Sequence, residues 1–281
     1  MDETRMSVRT LAQLGAAGSW RLNLAHDRPY HLLLWFTRGQ GRMMIDGRRR
    51  GLGAHNAVFV PAGSLFSLDP GRQSLGWAVI IPAGTPLRLP DMPWHLRVLD
   101  ARAQSELSGL IEAAQREQAT ARALVQEALE AHVALMSVWL RRQISEDCHI
   151  PAQRSAAERL SRRFASLVPR QYATGAPMAF YARELGVTAT HLTRAVKAAT
   201  GKTAADLLAE RLVHAARDLL EGSNHPAKNI AQHLGFGSAA YFTRFIKHHV
   251  GRSPSQLRPA KTGAKPSATI RPPRSADRNM P

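Results

Sequence analysis

The sequence predicts a multidomain α+β protein: an N-terminal antiparallel β barrel or sandwich with helices after it, then an all-α C-terminal domain with two helix-turn-helix units. Three observations predict it. Residues 20–82 are short apolar runs separated by turn signals, residues 104–143 change to helical spacing, and the C-terminal part repeats itself at an offset of about 50 residues. A length of 281 residues is room for two ordinary domains.

The strands come first. Residues 31–37 (HLLLWFT) and 42–45 are apolar runs bounded by Arg38-Gly39-Gln40-Gly41 and by Asp46-Gly47. An Asp-Gly pair between apolar stretches signals a two-residue hairpin. Residues 57–60 (AVFV) and 77–81 (WAVII) each end at a proline, Pro61 and Pro82. Residues 1–100 are therefore expected to form the β domain. In the helical segment, 101–145, Ala121, Val125, Ala128, His132, Leu135 and Trp139 alternate spacings of four and three, and Leu107, Leu110, Ile111 and Ala114 form a stripe upstream. Two readings stand side by side: a helix pair covering the β domain, and a homodimer seam through Val125, His132, Leu135 and Trp139. Residues 146–157 are polar and contain Pro151, as a linker would. Residues 158–259 are expected to be helical. Residues 260–281 carry Lys261, Lys265, Arg271, Arg274 and Arg278 among Pro, Ser and Gly, the composition of a disordered basic tail.

Charge narrows the partner. Lys+Arg 38 against Asp+Glu 21 gives a net +17. Most of it lies after residue 150, where 21 basic and 7 acidic residues leave +14, and all six lysines follow residue 196. Such a half implies a polyanion, either nucleic acid or an anionic membrane surface. The basic residues fall on the repeated units rather than along one amphipathic face, which argues against the membrane. No apolar stretch is long enough to span a bilayer, no secretory signal is visible, and one cysteine, Cys148, suits a reducing cytoplasm.

The repeat supplies a mechanism. Ala182-Arg-Glu-Leu-Gly-Val187 returns 49 residues later as Ala231-Gln-His-Leu-Gly-Phe236, and Leu192-Thr-Arg-Ala-Val-Lys197 returns 50 later as Phe242-Thr-Arg-Phe-Ile-Lys247. Each copy reads as a short helix ended by Gly186 or Gly235, an apolar plug (Val187 or Phe236), and a second helix capped by Thr188 or Ser238. A helix beginning at residue 203 and stopped by Gly222 connects the copies. Two recognition helices about 34 Å apart would enter successive major grooves of double-stranded DNA. Leu192, Val196, Phe242, Phe245 and Ile246 are expected in the core.

Over residues 157–257 the doublet, and above all FTRFIKHHVGRSPSQLR at 242–258, resembles the AraC/XylS family of bacterial transcription regulators. The N-terminal TRGQG (37–41), IDG (45–47) and VFVPAG (58–63) resemble that family's cupin-like effector domain. The resemblance implies a cytoplasmic bacterial regulator, most often an activator, dimeric and acting with RNA polymerase. Carried over position by position, Thr190, Thr193 and Arg194 would face base edges, with His191 and Lys197 nearer phosphates. In the second copy the matching positions are Ala239, Ala240, Thr243 and Arg244, with Tyr241 and Lys247 nearby. Alanine reaches only a thymine methyl, so the first helix is expected to carry more of the specificity. Arg38 and Trp77 match the ligand-contacting arginine and tryptophan of the arabinose-responsive member, while Phe66, Leu68 and Leu75 stand where that member has polar groups. An apolar or aromatic effector is therefore expected, in a site with Arg38, Phe66 and Trp77.

Catalysis has no support in the sequence. No paired carboxylates or nucleophile–base pair is placed for it, and His31 and His55 do not make a metal triad, so neither metal nor cofactor is expected. Two alternatives remain: a DNA-binding regulator whose barrel only dimerises, and a cupin-type enzyme with a targeting appendage.

Overall fold

The computed structural model describes residues 5–120, 122–146 and 154–258. The chain divides into two compact units between Ser155 and Ala156, the short stretch Leu24–His26 grouping with the second.

The first unit contains β1 (Ser7–Thr10), α1 (Leu11–Gly15), α2 (Trp20–Asn23), β2 (Tyr30–Arg38), β3 (Gly41–Ile45), β4 (Arg48–Leu52), β5 (Asn56–Val60), β6 (Phe66–Asp69), β7 (Leu75–Pro82), β8 (Trp94–Arg97), α3 (Ala101–Thr120) and α4 (Val125–Glu146). The strands form two antiparallel sheets, ordered β1-β7-β2-β5-β8 and β4-β3-β6. Asp46 and Gly47 have φ of 54° and 66°, as a tight β3–β4 turn of mirror-image type requires.

The central strand β2 explains why its sequence is an apolar run without alternation. Leu32, Leu34 and Phe36 point into the core between the two sheets, with Val58, Val60, Ala78, Ile80, Phe66 and Leu68. Leu33 and Trp35 point the other way, onto α3 and α4. A strand buried on both faces has no polar face to show. The helices hold this second layer through Leu107, Ile111, Ala114, Leu129, Val133, Met136 and Leu140. Polar anchors fix the layer: Trp35 Nε1 donates to Ser108 Oγ at 3.0 Å, and Trp139 Nε1 to Ala103 O at 3.0 Å. Gln118 pairs with both backbone groups of Val8, at 2.8 and 2.9 Å, and so satisfies polar groups of the edge strand β1.

The second unit is helical: α5 (Ala156–Gln171), a single 3-10 turn (Tyr172–Thr174), α6 (Met178–Glu184), α7 (Ala189–Thr200), α8 (Ala204–Gly222), α9 (Ala227–His233), α10 (Ala239–Val250) and α11 (Pro254–Leu257). No helix among the described residues is long and apolar enough to cross a membrane. Of the expected linker, residues 147–153 lie outside the described residues, as do the basic tail and Ala121. The flanks of that linker are helical, since α4 runs to Glu146 and α5 begins at Ala156.

Candidate nucleic-acid interface

Each copy of the repeat builds the same joint. In the first, α6 ends at Glu184 with Leu185 as its cap, and Gly186 takes φ +70° to turn the chain. The Thr188 hydroxyl then accepts from His191 N at 3.2 Å and caps α7. In the second, Gly235 takes φ +76°, and Ser238 Oγ accepts from Tyr241 N at 3.1 Å to cap α10. Gly201 and Gly251 close both second helices in the left-handed conformation. Thr203 and Asp206 form a reciprocal capping box that starts α8, and these bonds to Thr203 hold the Asp206 carboxyl below its ordinary range.

Packing decides which side of α7 and α10 meets solvent. Leu192, Val196, Phe242 and Ile246 are fully buried. Phe245 is only half-buried, between the rings of Phe236 (5.1 Å) and His249 (4.5 Å). The first copy has the smaller, buried Ala195 there, so the second copy exposes more ring surface. With the apolar residues turned inward, Thr190, His191, Arg194 and Lys197 lie exposed on α7, and Thr193 is half-buried. On α10 the exposed set is Ala239, Ala240, Tyr241, Thr243, Arg244 and Lys247, extended by His248 and His249. The Thr243 hydroxyl donates to Ala239 O at 2.9 Å, which leaves it only acceptor capacity for an outside partner. Arg183 and Arg252 add exposed positive charge at the helix ends. Each helix thus presents an outward polar and cationic strip over a buried apolar one. That is the chemistry that meets phosphates and base edges.

The positions expected to hold an effector do not meet in one cavity. Phe66 and Leu68 are packed in the core between the sheets. Trp77 sits directly across from Trp35 and faces the helices, on the opposite side of the five-stranded sheet. Arg38 is exposed at the end of β2 beyond a bulge, paired with the exposed Leu75. The period of two along a strand separates these groups, and a linear motif does not display it. An open depression of about 500 Å³ adjoins Arg38 in sequence, lined by Gly39, Gln40, Arg72 and Gln73.

The expected seam on α4 divides likewise. Trp139 is buried in the core, which removes it from any surface seam, and Val125 packs against the same core. His132 is half-buried, and Leu135 is 54% exposed. The inward stripe is Leu129, Val133, Met136 and Leu140, one position round the helix from the spacing read in the sequence. His31 accepts from Ala62 N at 3.2 Å and stacks on Phe59, and His55 tilts against Trp35. Among the described residues no cluster of three His, Cys, Asp or Glu side chains is placed to hold a metal ion.

Sequence reading expects helix from residue 158 onward but does not single out α5, in which Leu160, Phe164 and Val168 recur every four residues and are buried. It also missed Tyr172 and Gly175 in the turn that follows, where no periodicity marks them.

Fold and surface together define a protein with a sheet-rich N-terminal region and a double helix-turn-helix C-terminal domain. Residues 181–260 match the family described as "Helix-turn-helix domain". Among solved structures the chain is similar to apo ToxT K231A from Vibrio cholerae, with 14% identity, TM-score 0.42, and coverage of 90% of this chain and 92% of that one. ToxT from the same strain with an unsaturated fatty acid bound gives 14%, 0.39, and coverage of 89% and 93%. The C-terminal domain of AraT, a response regulator from Geobacillus stearothermophilus, gives 24%, 0.34, and coverage of 38% and 86%. No curated protein matches the chain.

Proposed function

We propose that this chain is a sequence-specific regulator of transcription that places α7 and α10 in successive major grooves of double-stranded DNA. One observation carries the reading: both copies of the repeat turn corresponding cations outward, Arg194 and Lys197 on α7 and Arg244 and Lys247 on α10, with half-buried Thr193 and exposed Thr243 beside them. Arg194 reads a guanine edge, and Thr190 and Thr193 contact bases beside it. His191, Lys197, Tyr241, Arg244 and Lys247 hold the backbone, with Thr188 and Ser238 at the helix starts. Ala239, Ala240 and Thr243 contribute less discrimination. The regulator works in the bacterial cytoplasm as an activator with RNA polymerase, as a homodimer whose exposed contact on α4 is Leu135. Its N-terminal unit senses a small apolar or aromatic effector.

A second reading keeps the DNA binding and drops the effector. The filled core between the sheets favours it, because Phe66 and Leu68 already occupy the interior.

The test is selection of duplexes from a random pool at two salt concentrations. Enrichment of a discrete motif that survives the higher salt is the expected result. Retention of all sequences alike, collapsing with salt, would leave only phosphate attraction and refute the proposal. A panel of aliphatic and aromatic carboxylic acids, read as a shift in the unfolding of the N-terminal unit, separates the sensing barrel from the non-sensing one.

A further inference from the structure

Helix α8 joins the two reading units, but a lone connecting helix leaves each unit free to swivel at its ends. The structure adds a second joint. The turn after α5 lies backbone to backbone against the Gly235 turn of the second reading unit. A Cβ on Gly235 would stand 2.7 Å from Ala173 O and 2.8 Å from the Thr174 carbonyl carbon, and would overlap Gly175 N. A Cβ on Gly175 would overlap Gly235 O. Gly186 is the same residue of the repeat in the first copy, with almost the same φ, yet a Cβ there would meet nothing within 4 Å. Backbone conformation therefore favours glycine at both positions of the repeat, whereas close approach demands it only at Gly235. The turn is also anchored from the side. Arg211 of α8 is buried, with its guanidinium carbon 3.8 Å from the centre of the Tyr172 ring, and Tyr172 packs on the apolar core of the second reading unit.

We propose that the 172–175 turn, seated on Gly235 and held by Arg211, is a lock that sets the distance and phase between α7 and α10, and so the spacing of the DNA sites they read. Gly175, Gly235, Tyr172 and Arg211 are then positioning residues that touch no base. The spacing consequence rests on the DNA-reading function proposed above, whereas the lock itself does not.

The test uses the full chain in a Cys148→Ser background, with Ala198→Cys on α7 and His248→Cys on α10 carrying spin labels. The parent gives one narrow distance distribution. Gly235→Ala broadens or shifts it, and Gly186→Ala, with the same backbone strain but open space, leaves it narrow. An unshifted, narrow distribution in Gly235→Ala overturns the lock, whatever the protein binds. Should Gly235→Ala fail to fold, Tyr172→Ala removes the ring under Arg211 without touching the turn glycines, and the same two outcomes decide. The second arm uses the duplex selected by the parent, with one base pair inserted between the two reading sites. One base pair moves them apart by about 3.4 Å and rotates them by about 35°. The parent loses about tenfold in affinity, while Gly235→Ala loses less than about threefold between the two spacings. An equal loss in parent and variant overturns the proposal. If no duplex is selected, DNA reading fails, and the label distances still decide the lock.

Discussion

Tyr181 offers the sharpest test of how the first reading unit is held together. It lies on α6, fully buried, with its ring edge-on to Phe164 at 5.7 Å and to Phe180 at 5.6 Å. Among the described residues its hydroxyl has no hydrogen-bond partner. A buried, unsatisfied polar group costs about 1–3 kcal/mol. Tyr181→Phe keeps both ring contacts and removes only that oxygen, leaving a gap smaller than a methyl group that forfeits roughly 0.5 kcal/mol of dispersion. The net expectation is a gain of about 1 kcal/mol, or about 0.5 M in urea midpoint for a slope near 2 kcal/mol/M. The assay is urea unfolding of the whole chain followed by helical circular dichroism and by tryptophan fluorescence. All five tryptophans, Trp20, Trp35, Trp77, Trp94 and Trp139, belong to the first unit. Fluorescence should therefore stay put while the helical transition of the second unit moves up. Burial also pushes the Tyr181 hydroxyl up from its ordinary 10.0 to about 12. The folded state then keeps a proton that the unfolded state releases. This contribution is intact below pH 10 and is lost as pH rises toward 12, by up to about 1.4 kcal/mol per pH unit. The phenylalanine variant has no such loss, so its advantage widens above pH 10. A loss of stability in Tyr181→Phe at neutral pH would mean that the hydroxyl holds a bound partner, and would refute the reasoning.

Three further outcomes are expected. Arg194→Ala costs about 1–3 kcal/mol of binding and relaxes preference at one base of the selected motif, whereas Lys197→Ala weakens all sequences alike and lowers the salt slope by about one; the same uniform loss from Arg194→Ala would make it a phosphate contact. Leu135→Asp converts a dimer to a monomer in sedimentation without unfolding the first unit, while Trp139→Ala destabilises that unit by about 3–5 kcal/mol; an unchanged sedimentation coefficient in Leu135→Asp removes the seam from that face. His95 is held down at about 4 by burial and by the Arg50 charge, and its Nε2 hydrogen-bonds Asn56 Oδ1 at 2.7 Å. The unfolded chain takes up that proton near pH 6.5, so the first unit loses stability as pH falls from 6.5 toward 4, and His95→Gln should flatten this part of the acid limb of its fluorescence-detected unfolding.

Local signals in the sequence carried the local structure. Asp46-Gly47 announced its turn because only a few residues tolerate positive φ, and the two Leu-Gly steps with their caps announced the paired helices for the same reason. The outward strips of α7 and α10 followed from the period of 3.6 once the apolar positions were known. Helix α4 shows the limit of that reasoning. A run rich in alanine and leucine supports more than one stripe, and contact with the five-stranded sheet selected Leu129, Val133, Met136 and Leu140 over the neighbouring stripe through Leu135. The separation of Phe66 from Trp77 had no sequence signature, because it depends on which face of a sheet each strand turns toward the second sheet. Nor did the sequence distinguish Gly235 from Gly186. Both need glycine for a conformation set within a few residues, but only Gly235 has another backbone pressed against it, brought there from 60 residues away by the packing of α5 and α8. Conformation is set by neighbours along the chain and proximity by the whole fold, and that difference separates what the sequence determined from what the tertiary structure decided.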